Sequence, residues 1–298
     1  MSWVEDKNDA PAVLPAPGAP ALYVVDLYNR MRRYLAAPDG PKWAWRRMYD
    51  WTARIIRERR PTHLAAASDN PWPTRQHQRA PGRWKTGKTA MPASERATLL
   101  EQVRLASEVL WDGLGVRTFS VRGHDGDDVA ASLVEVGLAA DLPVVCATND
   151  KDWLQLVEGG DRVVLAWDGV FDDVAANVKA RVLGPDGVRE ALGVWPWQVV
   201  DRMALVGKDA PGVEGIGEKS ATAIVQEFGG LDAALAALAG FEASLNAGGA
   251  TNSPWVKIGV RYATALSKGR DDALLSRELV RLRRDVDLGI ASADDLCV

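Results

Sequence analysis

The feature that most constrains the fold is a set of short apolar segments that alternate with amphipathic ones. The short segments are LYVVD (22–26), THLAAASD (62–69), VRTFSV (116–121), LPVVCATND (142–150) and DRVVLAW (161–167). Each has the length of a buried strand, whereas segments such as 43–60 and 127–140 carry apolar residues at helical spacing. Strands that alternate with helices predict an α/β domain whose central, largely parallel sheet is flanked by helices.

The strand signals stop near residue 185, and only segments with helical spacing follow. A chain of 298 residues with 47% hydrophobic content is long enough for two domains. We therefore predict a disordered proline-alanine tail over 1–20, an α/β domain over 21–185 and a helical domain over 186–298.

Composition indicates the cellular compartment in which the protein is expected. No apolar run approaches the length of a membrane span, and the N-terminal residues lack a signal-peptide pattern, so we expect no membrane partner. The two cysteines, Cys146 and Cys297, cannot form a disulfide framework, and Cys146 lies in an apolar run that predicts a reduced core residue. A cytoplasmic location is expected.

Carboxylates recur where the predicted strands end. Asp26, Asp69 and Asp150 close three apolar runs, and the carboxyl ends of parallel strands meet at one edge of a sheet. The same edge should receive Asp125, Asp127 and Asp128, which open the next helix, and Asp152. So many carboxylates repel one another unless cations lie among them, and oxygen ligands without a His or Cys cluster favour Mg²⁺ or Mn²⁺.

Paired divalent cations on such a cluster serve phosphodiester hydrolysis. These aspartates have two alternative interpretations. A single aspartate can instead cap a helix, which for Asp127 taken alone is the better interpretation. A calcium loop is disfavoured because HDGDD (124–128) lacks the required alternation of ligands.

The segment PGVEGIGEKS (211–220) is a second candidate site. Gly212, Gly215 and Gly217 allow a tight hairpin between two helices, and Lys219 and Ser220 at the start of the second helix could hold a phosphate. The alternative is a helix–turn–helix packing element that needs no ligand.

Charge is distributed unevenly along the chain. Residues 30–88 contain fifteen basic and four acidic residues, although the whole chain has a net charge of −4. A basic segment beside an acidic remainder suggests a polyanion partner, and solvated helix faces are the alternative.

Within that basic segment, GRWKTGKT (82–89) matches the phosphate-loop pattern G-x-x-x-x-G-K-[ST]. That pattern works only between a buried strand and a helix. Here three prolines precede it, and Pro92 would break a helix that began at Gly87. We therefore expect no nucleotide cofactor, and an ATPase is a distant alternative.

Taken together, these motifs resemble the 5′-nuclease family, which comprises flap endonucleases and the 5′→3′ exonuclease domain of bacterial DNA polymerase I. The segment HDGDDVAASL looks like the family's E-A-D-D motif, and ATNDKDWLQLV is similar to its T-G-D-K-D-L-L-Q-L segment. The segment GVEGIGEKSATAIVQEFGGLDAAL looks like its helix–hairpin–helix, and LSRELVRLRRDVDL resembles its closing segment. RWKTGK resembles the segment at the base of the arch that threads single-stranded DNA. The resemblance covers roughly residues 21–288, and these motifs are highly specific for the family when they occur together in this order.

The resemblance implies a stand-alone nuclease, expected to be a monomer, that acts on flapped, nicked or 5′-ended DNA and on RNA–DNA junctions. The seven aspartates named above would hold two divalent ions. Lys85 and Lys88 would be catalytic, with Lys85 touching the scissile phosphate at the base of an arch spanning about 70–96. Arg33 and Arg83 would contact DNA. Gly212, Gly215, Gly217, Lys219 and Ser220 would grip the duplex backbone, with a potassium ion on the hairpin carbonyls.

Three positions depart from the family pattern. The family has Glu where Asp125 stands and Arg where Lys88 stands. Its pair of aspartates before the hairpin is contracted here to GKDAP (207–211), which leaves Asp209 as the sole carboxylate and predicted metal ligand of that segment. The second metal is therefore expected to be weakly held. The alternative function is a DNA-binding family member with weak or lost nuclease activity.

Overall fold

The computed structural model describes residues 12–86, 91–167, 170–171, 181–246 and 253–298, without the side chains of 245 and 246. The chain divides into two compact units. Unit 1 comprises Met1–Arg75, Thr89–Gly187 and Leu282–Val298, and unit 2 comprises Gln76–Lys88 and Val188–Arg281.

Unit 1 is built on a mixed, mostly parallel sheet, which confirms the predicted fold class. Within the described residues its strands lie in the order β3-β2-β1-β4-β5-β6, and only β6 is antiparallel to its neighbour. The strands are β1 (Leu22–Asp26), β2 (His63–Ala67), β3 (Arg117–Phe119), β4 (Val144–Ala147), β5 (Val163–Trp167) and β6 (Arg181–Leu183). The five predicted strands are confirmed. Strand β6 was not predicted, because three residues are too few to show a period.

Helices connect the strands and form unit 2. The described α-helices are α1 (Leu27–Leu35), α2 (Gly40–Arg59), α3 (Arg75–Arg79), α4 (Ala93–Leu114), α5 (Gly126–Ala139), α6 (Pro185–Leu192), α7 (Val199–Val206), α8 (Glu218–Phe228), α9 (Leu231–Asn246), α10 (Pro254–Ile258), α11 (Val260–Lys268) and α12 (Arg270–Val280). Short 3-10 helices cover Lys151–Leu156, Pro196–Gln198 and Ala293–Leu296.

The core of unit 1 covers both faces of the sheet. On one face, Tyr23 and Val25 of β1 pack with the fully buried Met48 of α2 and Leu99 of α4. On the other face α5 lies close to the strands at Gly137, where a Cβ would come within 2.7 Å of a methyl carbon of Val144. Burial on both faces explains why the central strands β1, β4 and β5 are almost entirely apolar.

The N-terminal residues of unit 1 were predicted to belong to a disordered tail, and residues 1–11 lie outside the described residues. In the described part, the Gly18 amide donates to the Arg59 carbonyl at 2.9 Å. Leu14 packs against the core of the unit.

Unit 2 is helical. Its hairpin joins α7 to α8, and α12 packs beside α7. A small apolar cluster contains Ala80, Ala210 and Leu279 with Trp84 packed against it, so the segment 76–88 contributes to the packing of this unit.

Among the described residues, no single helix has the length and hydropathy of a membrane span. Glu218–Phe228 and Leu231–Ser244 meet that standard only when they are joined across a bend of 82°.

Candidate metal centre

The carboxylates of unit 1 gather where the strand order reverses. From β1 the chain proceeds to β2 and β3 on one side, whereas β4 and β5 lie on the other side. In open α/β sheets, ligands bind in the crevice at the carboxyl ends of the strands at such a switch point. Asp26 is the last residue of β1, and Asp150 lies three residues beyond β4.

Asp26 is buried between these two strands. Its carboxylate accepts a hydrogen bond of 2.6 Å from the Thr148 hydroxyl and one of 3.1 Å from the Asn29 amide. Burial is the largest cause and raises the pKa of Asp26 to about 7. It outweighs the two hydrogen bonds, which lower this pKa, and the nearby charges of Asp150 and Asp69 add a smaller increase. A carboxyl with this pKa holds a proton near neutrality unless a cation takes the proton's place.

Asp127 is repelled by four neighbouring carboxylates. Its carboxylate accepts a hydrogen bond of 2.7 Å from the Trp153 indole. Burial raises its pKa well above the ordinary value, and the charges of Asp125, Asp150, Asp152 and Asp26 raise it further. The structure therefore brings together the predicted carboxylates Asp26, Asp69, Asp125, Asp127, Asp150 and Asp152, which we call the carboxylate cluster.

Backbone amides orient three further members of the carboxylate cluster. Asp69 accepts from Gly126 at 2.7 Å, Asp125 accepts from Asp128 at 3.2 Å as the N-cap of α5, and Asp150 accepts from Asp152 at 3.0 Å. Each of these bonds engages one carboxylate oxygen, and the second oxygen of Asp150 accepts from the Asn29 side-chain amide at 3.4 Å. These hydrogen bonds orient the side chains, and the carboxylate oxygens keep lone pairs that can bind another ligand.

Asp128 is held differently from the other predicted ligands. Both of its oxygens bind Arg75, at 2.8 and 2.9 Å, and the backbone amide of Arg283 donates to it at 2.8 Å. His124 lies 3.4 Å away. The assignment of Asp128 as a metal ligand stays a prediction, and these contacts argue against it, because a guanidinium already balances its charge.

The donor set fits hard divalent cations. All side-chain ligand atoms of the carboxylate cluster are oxygens, and burial and mutual repulsion raise the pKa values of Asp26 and Asp127. Oxygen ligands of this kind suit Mg²⁺ and Mn²⁺.

Basic side chains border the cluster. A cleft beside the cluster is lined by Asp26, Asn29, Arg30, Arg33, Ala147, Thr148 and Asn149. Arg33 was predicted to contact DNA and is exposed here. Arg30 was not predicted, although its three-residue spacing from Arg33 on α1 places both on one helix face. The guanidinium of Arg30 also lies 4.0 Å from the Trp51 ring centroid.

The glycine-rich hairpin of unit 2 forms between α7 and α8. Gly207 and Gly212 have left-handed φ values of 72° and 66°, and a Cβ on Gly207 would lie 2.3 Å from the Cα of Gly212. The Gly212 amide donates to the buried Ser276 hydroxyl at 2.8 Å. The ends of this loop therefore lie against each other, and Asp209 is the one carboxylate that its sequence carries.

The start of α8 carries the other predicted hairpin residues. Ser220 accepts from the Gly217 amide at 3.0 Å and donates back to the Gly217 carbonyl, so its hydroxyl caps the helix. Gly215 has a left-handed φ of 85°, and Lys219 is exposed. The phosphate-binding roles of these residues stay predictions.

The predicted base of the arch falls in unit 2. Lys85 adopts a left-handed φ of 54°, and its amide donates to the Asp209 carbonyl at 2.7 Å. Arg83 forms an ion pair with Asp272. Lys88 lies outside the described residues. In the phosphate-loop match, the described residues 82–86 form turns preceded by α3 and not by a strand.

Comparisons with known proteins agree with this geometry. The family model for the 5′-3′ exonuclease N-terminal resolvase-like domain matches residues 22–193, and the model for the 5′-3′ exonuclease C-terminal SAM fold matches residues 194–297. The chain is 28% identical to flap endonuclease Xni of Aeromonas salmonicida over 91% of this chain and 94% of that protein. It is 31% identical to a 5′-3′ exonuclease of Streptomyces coelicolor over 85% of this chain and 80% of that protein.

DNA polymerase I of Pseudomonas aeruginosa is 34% identical over 59% of this chain and 18% of the polymerase. The chain spans about a fifth of the length of the curated DNA polymerase I relatives it matches. Among solved structures, T5 5′-exonuclease with divalent metal ions (zinc) bound has a TM-score of 0.65 at 19% identity, over 88% of this chain and 90% of that one. The catalytic core of Rad2 in complex with DNA substrate has a TM-score of 0.54 at 14% identity, over 90% of this chain and 79% of that one.

Proposed function

The chain belongs to the 5′-3′ exonuclease family, and from that premise we propose that it is a structure-specific 5′ nuclease. It would hydrolyse phosphodiester bonds of flapped, nicked or 5′-ended DNA. The observation that carries the proposal is the carboxylate cluster at the switch point of the sheet, where burial and mutual repulsion raise the pKa values of Asp26 and Asp127. Flap endonuclease Xni, a relative that matches over nearly its whole length, supports it.

We propose that the carboxylate cluster holds two ions of Mg²⁺ or Mn²⁺. When bound, such ions supply an activated water and stabilise the oxygen that leaves the phosphorus. The bound zinc named for T5 5′-exonuclease supports divalent metal use in this fold. The protein itself orients the carboxylates that would bind these ions. Thr148 contributes to this by donating to Asp26 and accepting from the Asp150 amide at 2.9 Å, so one hydroxyl links two members of the cluster.

DNA contacts are proposed for both units. In unit 1, Arg30 and Arg33 beside the cluster suit a phosphate. In unit 2, the hairpin glycines and Lys219 suit the duplex backbone, with a K⁺ ion on the hairpin carbonyls. Arg83, Lys85 and Lys88 suit phosphates of a 5′ strand. Contacts of this kind do not read bases, so cleavage should follow DNA structure rather than sequence.

A DNA-binding protein with weak nuclease activity is the second candidate. The observation that favours it is the short loop between Gly207 and Gly212, which leaves Asp209 as the sole carboxylate before the hairpin. If that loop normally supports the second ion, the ion would be held weakly. The full carboxylate cluster in unit 1 favours the active enzyme.

A cleavage assay with a 5′-flap substrate separates these candidates. We expect cleavage near the flap junction with Mg²⁺ or Mn²⁺, none with EDTA, and no effect of added ATP. A covalently closed circular duplex, which has no flap, nick or 5′ end, is the matched control substrate. Binding of the flap without cleavage at any Mn²⁺ concentration would support the second candidate, and ATP-dependent cleavage would contradict both.

A further inference from the structure

A second cluster of metal-ligating side chains lies in unit 1, away from the carboxylate cluster. His63, Asp294 and Cys297 place their ligand atoms within 4.8 Å of one another. His63 is the first residue of β2, whereas Asp69 of the carboxylate cluster lies beyond the last residue of that strand. Six residues of extended chain separate the two positions by roughly 20 Å.

The backbone holds these three side chains in place. His63 and Cys297 are paired by an antiparallel bridge, and the Val298 amide donates to the Thr62 carbonyl at 3.3 Å. Asp294 lies in the 3-10 helix Ala293–Leu296, whose first and last residues are buried. The juxtaposition therefore follows from strand pairing and apolar anchoring.

The ligand types differ in kind from those of the carboxylate cluster. A thiolate, an imidazole and a carboxylate form the mixed set that suits Zn²⁺, and the two anionic groups balance the charge of the ion. Ligand atoms around tetrahedral zinc lie roughly 3.3–3.8 Å apart, so the three side chains need to close by only about 1 Å. His63 is half-buried, whereas Asp294 and Cys297 are exposed, so an ion can enter and water can fill the fourth position.

Thr62 can set the tautomer of His63. Its hydroxyl lies 2.8 Å from Nδ1 of His63, and it also accepts from the Ala21 amide at 3.0 Å and lies 3.2 Å from the Ala21 carbonyl. If the hydroxyl proton goes to that carbonyl, Nδ1 donates to the hydroxyl and Nε2 keeps the lone pair that a metal needs. This is the arrangement in which a second group orients a metal-binding histidine.

We propose that His63, Asp294 and Cys297 form a Zn²⁺ site that fastens the C-terminal segment to the first residue of β2. The role is structural and independent of the nuclease assignment. Because an ion that binds only the folded chain stabilises it, zinc should raise the thermal denaturation temperature.

Cobalt titration of the full chain tests the site directly. Co²⁺ on a thiolate gives a near-ultraviolet charge-transfer band, whereas Co²⁺ on the carboxylate cluster gives none. With excess Mg²⁺ present to fill the carboxylate cluster, we expect the band to saturate at one equivalent of Co²⁺ and to disappear in Cys297→Ser. The His63→Gln variant should need at least about tenfold more Co²⁺. Cys146→Ala, which removes the other cysteine, should keep the band.

A thermal denaturation series with Zn²⁺, in excess Mg²⁺ to fill the carboxylate cluster, gives a second measurement. We expect Zn²⁺ to raise the midpoint of the wild type and to leave that of Cys297→Ser unchanged. A wild type without a thiolate band at one equivalent, a band that survives in Cys297→Ser, or equal zinc shifts in the two proteins would each overturn the proposal. Because these measurements do not involve cleavage, they are separable from the test of nuclease activity.

Discussion

At the scale of single residues, the environment of Asp26 supports the proposal that the carboxylate cluster holds cations. Its burial beside Asp150 and Asp69 raises its pKa to about 7, against an ordinary value of 3.8. In metal-free protein the folded state then binds a proton more tightly than the unfolded chain. That stabilising contribution is complete below the unfolded value and is lost as the pH rises through the folded value.

This gives a prediction for the metal-free protein. In EDTA, the free energy of unfolding should fall by a few kcal/mol between about pH 4 and pH 8, because buried carboxyls ionise without a counter-ion. Urea denaturation across this pH range measures the change, and the Asp26→Asn variant should show a smaller fall. Addition of Mg²⁺ at the upper pH should restore stability in the wild type. A wild type and variant with parallel pH profiles would contradict the raised pKa.

Sequence reasoning located the carboxylate cluster but not every contact in it. Residues that end parallel strands must meet at one sheet edge, so Asp26, Asp69 and Asp150 were predictable from position alone. The pairing of Asp128 with Arg75 was not predictable, because 53 residues separate the two and no local pattern connects them. Arg30 was missed for a different reason: its spacing from Arg33 indicates a shared helix face, but the sequence does not show that this face borders the carboxylate cluster.

At the scale of elements, the segment that contains the phosphate-loop match lacks the strand that such a loop requires. The described part of it, residues 82–86, consists of turns after α3. Lys85 holds an unfavourable left-handed conformation there, and its amide bonds to the Asp209 carbonyl. A non-glycine residue in this region costs about 1 kcal/mol or more, and such strain is typical of functional positions.

Lys85→Ala tests the role of this segment. If Lys85 supports the transition state, the variant should lose about 100-fold or more in single-turnover cleavage while flap affinity changes little. Lys268→Ala, an exposed lysine of α11, is the matched control and should cleave like the wild type. ATP should alter neither protein. A Lys85→Ala protein that cleaves at the wild-type rate would remove Lys85 from the reaction, and ATP hydrolysis by the wild type would reinstate the phosphate loop.

At the scale of the whole molecule, the alternation of strands and helices was enough to predict the α/β class and the helical C-terminal part. It could not predict that residues 76–88 cluster with the helical unit, because that assignment depends on contacts such as those of Ala80 with Ala210 and Leu279. It also could not predict that Leu282–Val298 returns to unit 1. Long-range packing, which no local period encodes, decides both.

The central claim is that the carboxylate cluster holds the ions that hydrolyse the phosphodiester. Single-turnover cleavage of a 5′ flap by Asp127→Asn and Asp150→Asn tests it most directly, with Asp112→Asn on the exposed surface of α4 as the matched control. We expect the cleavage rate of both cluster variants to fall by about three orders of magnitude or more, while their flap affinity is retained and the control variant cleaves like the wild type. Near-normal cleavage by both cluster variants would contradict it.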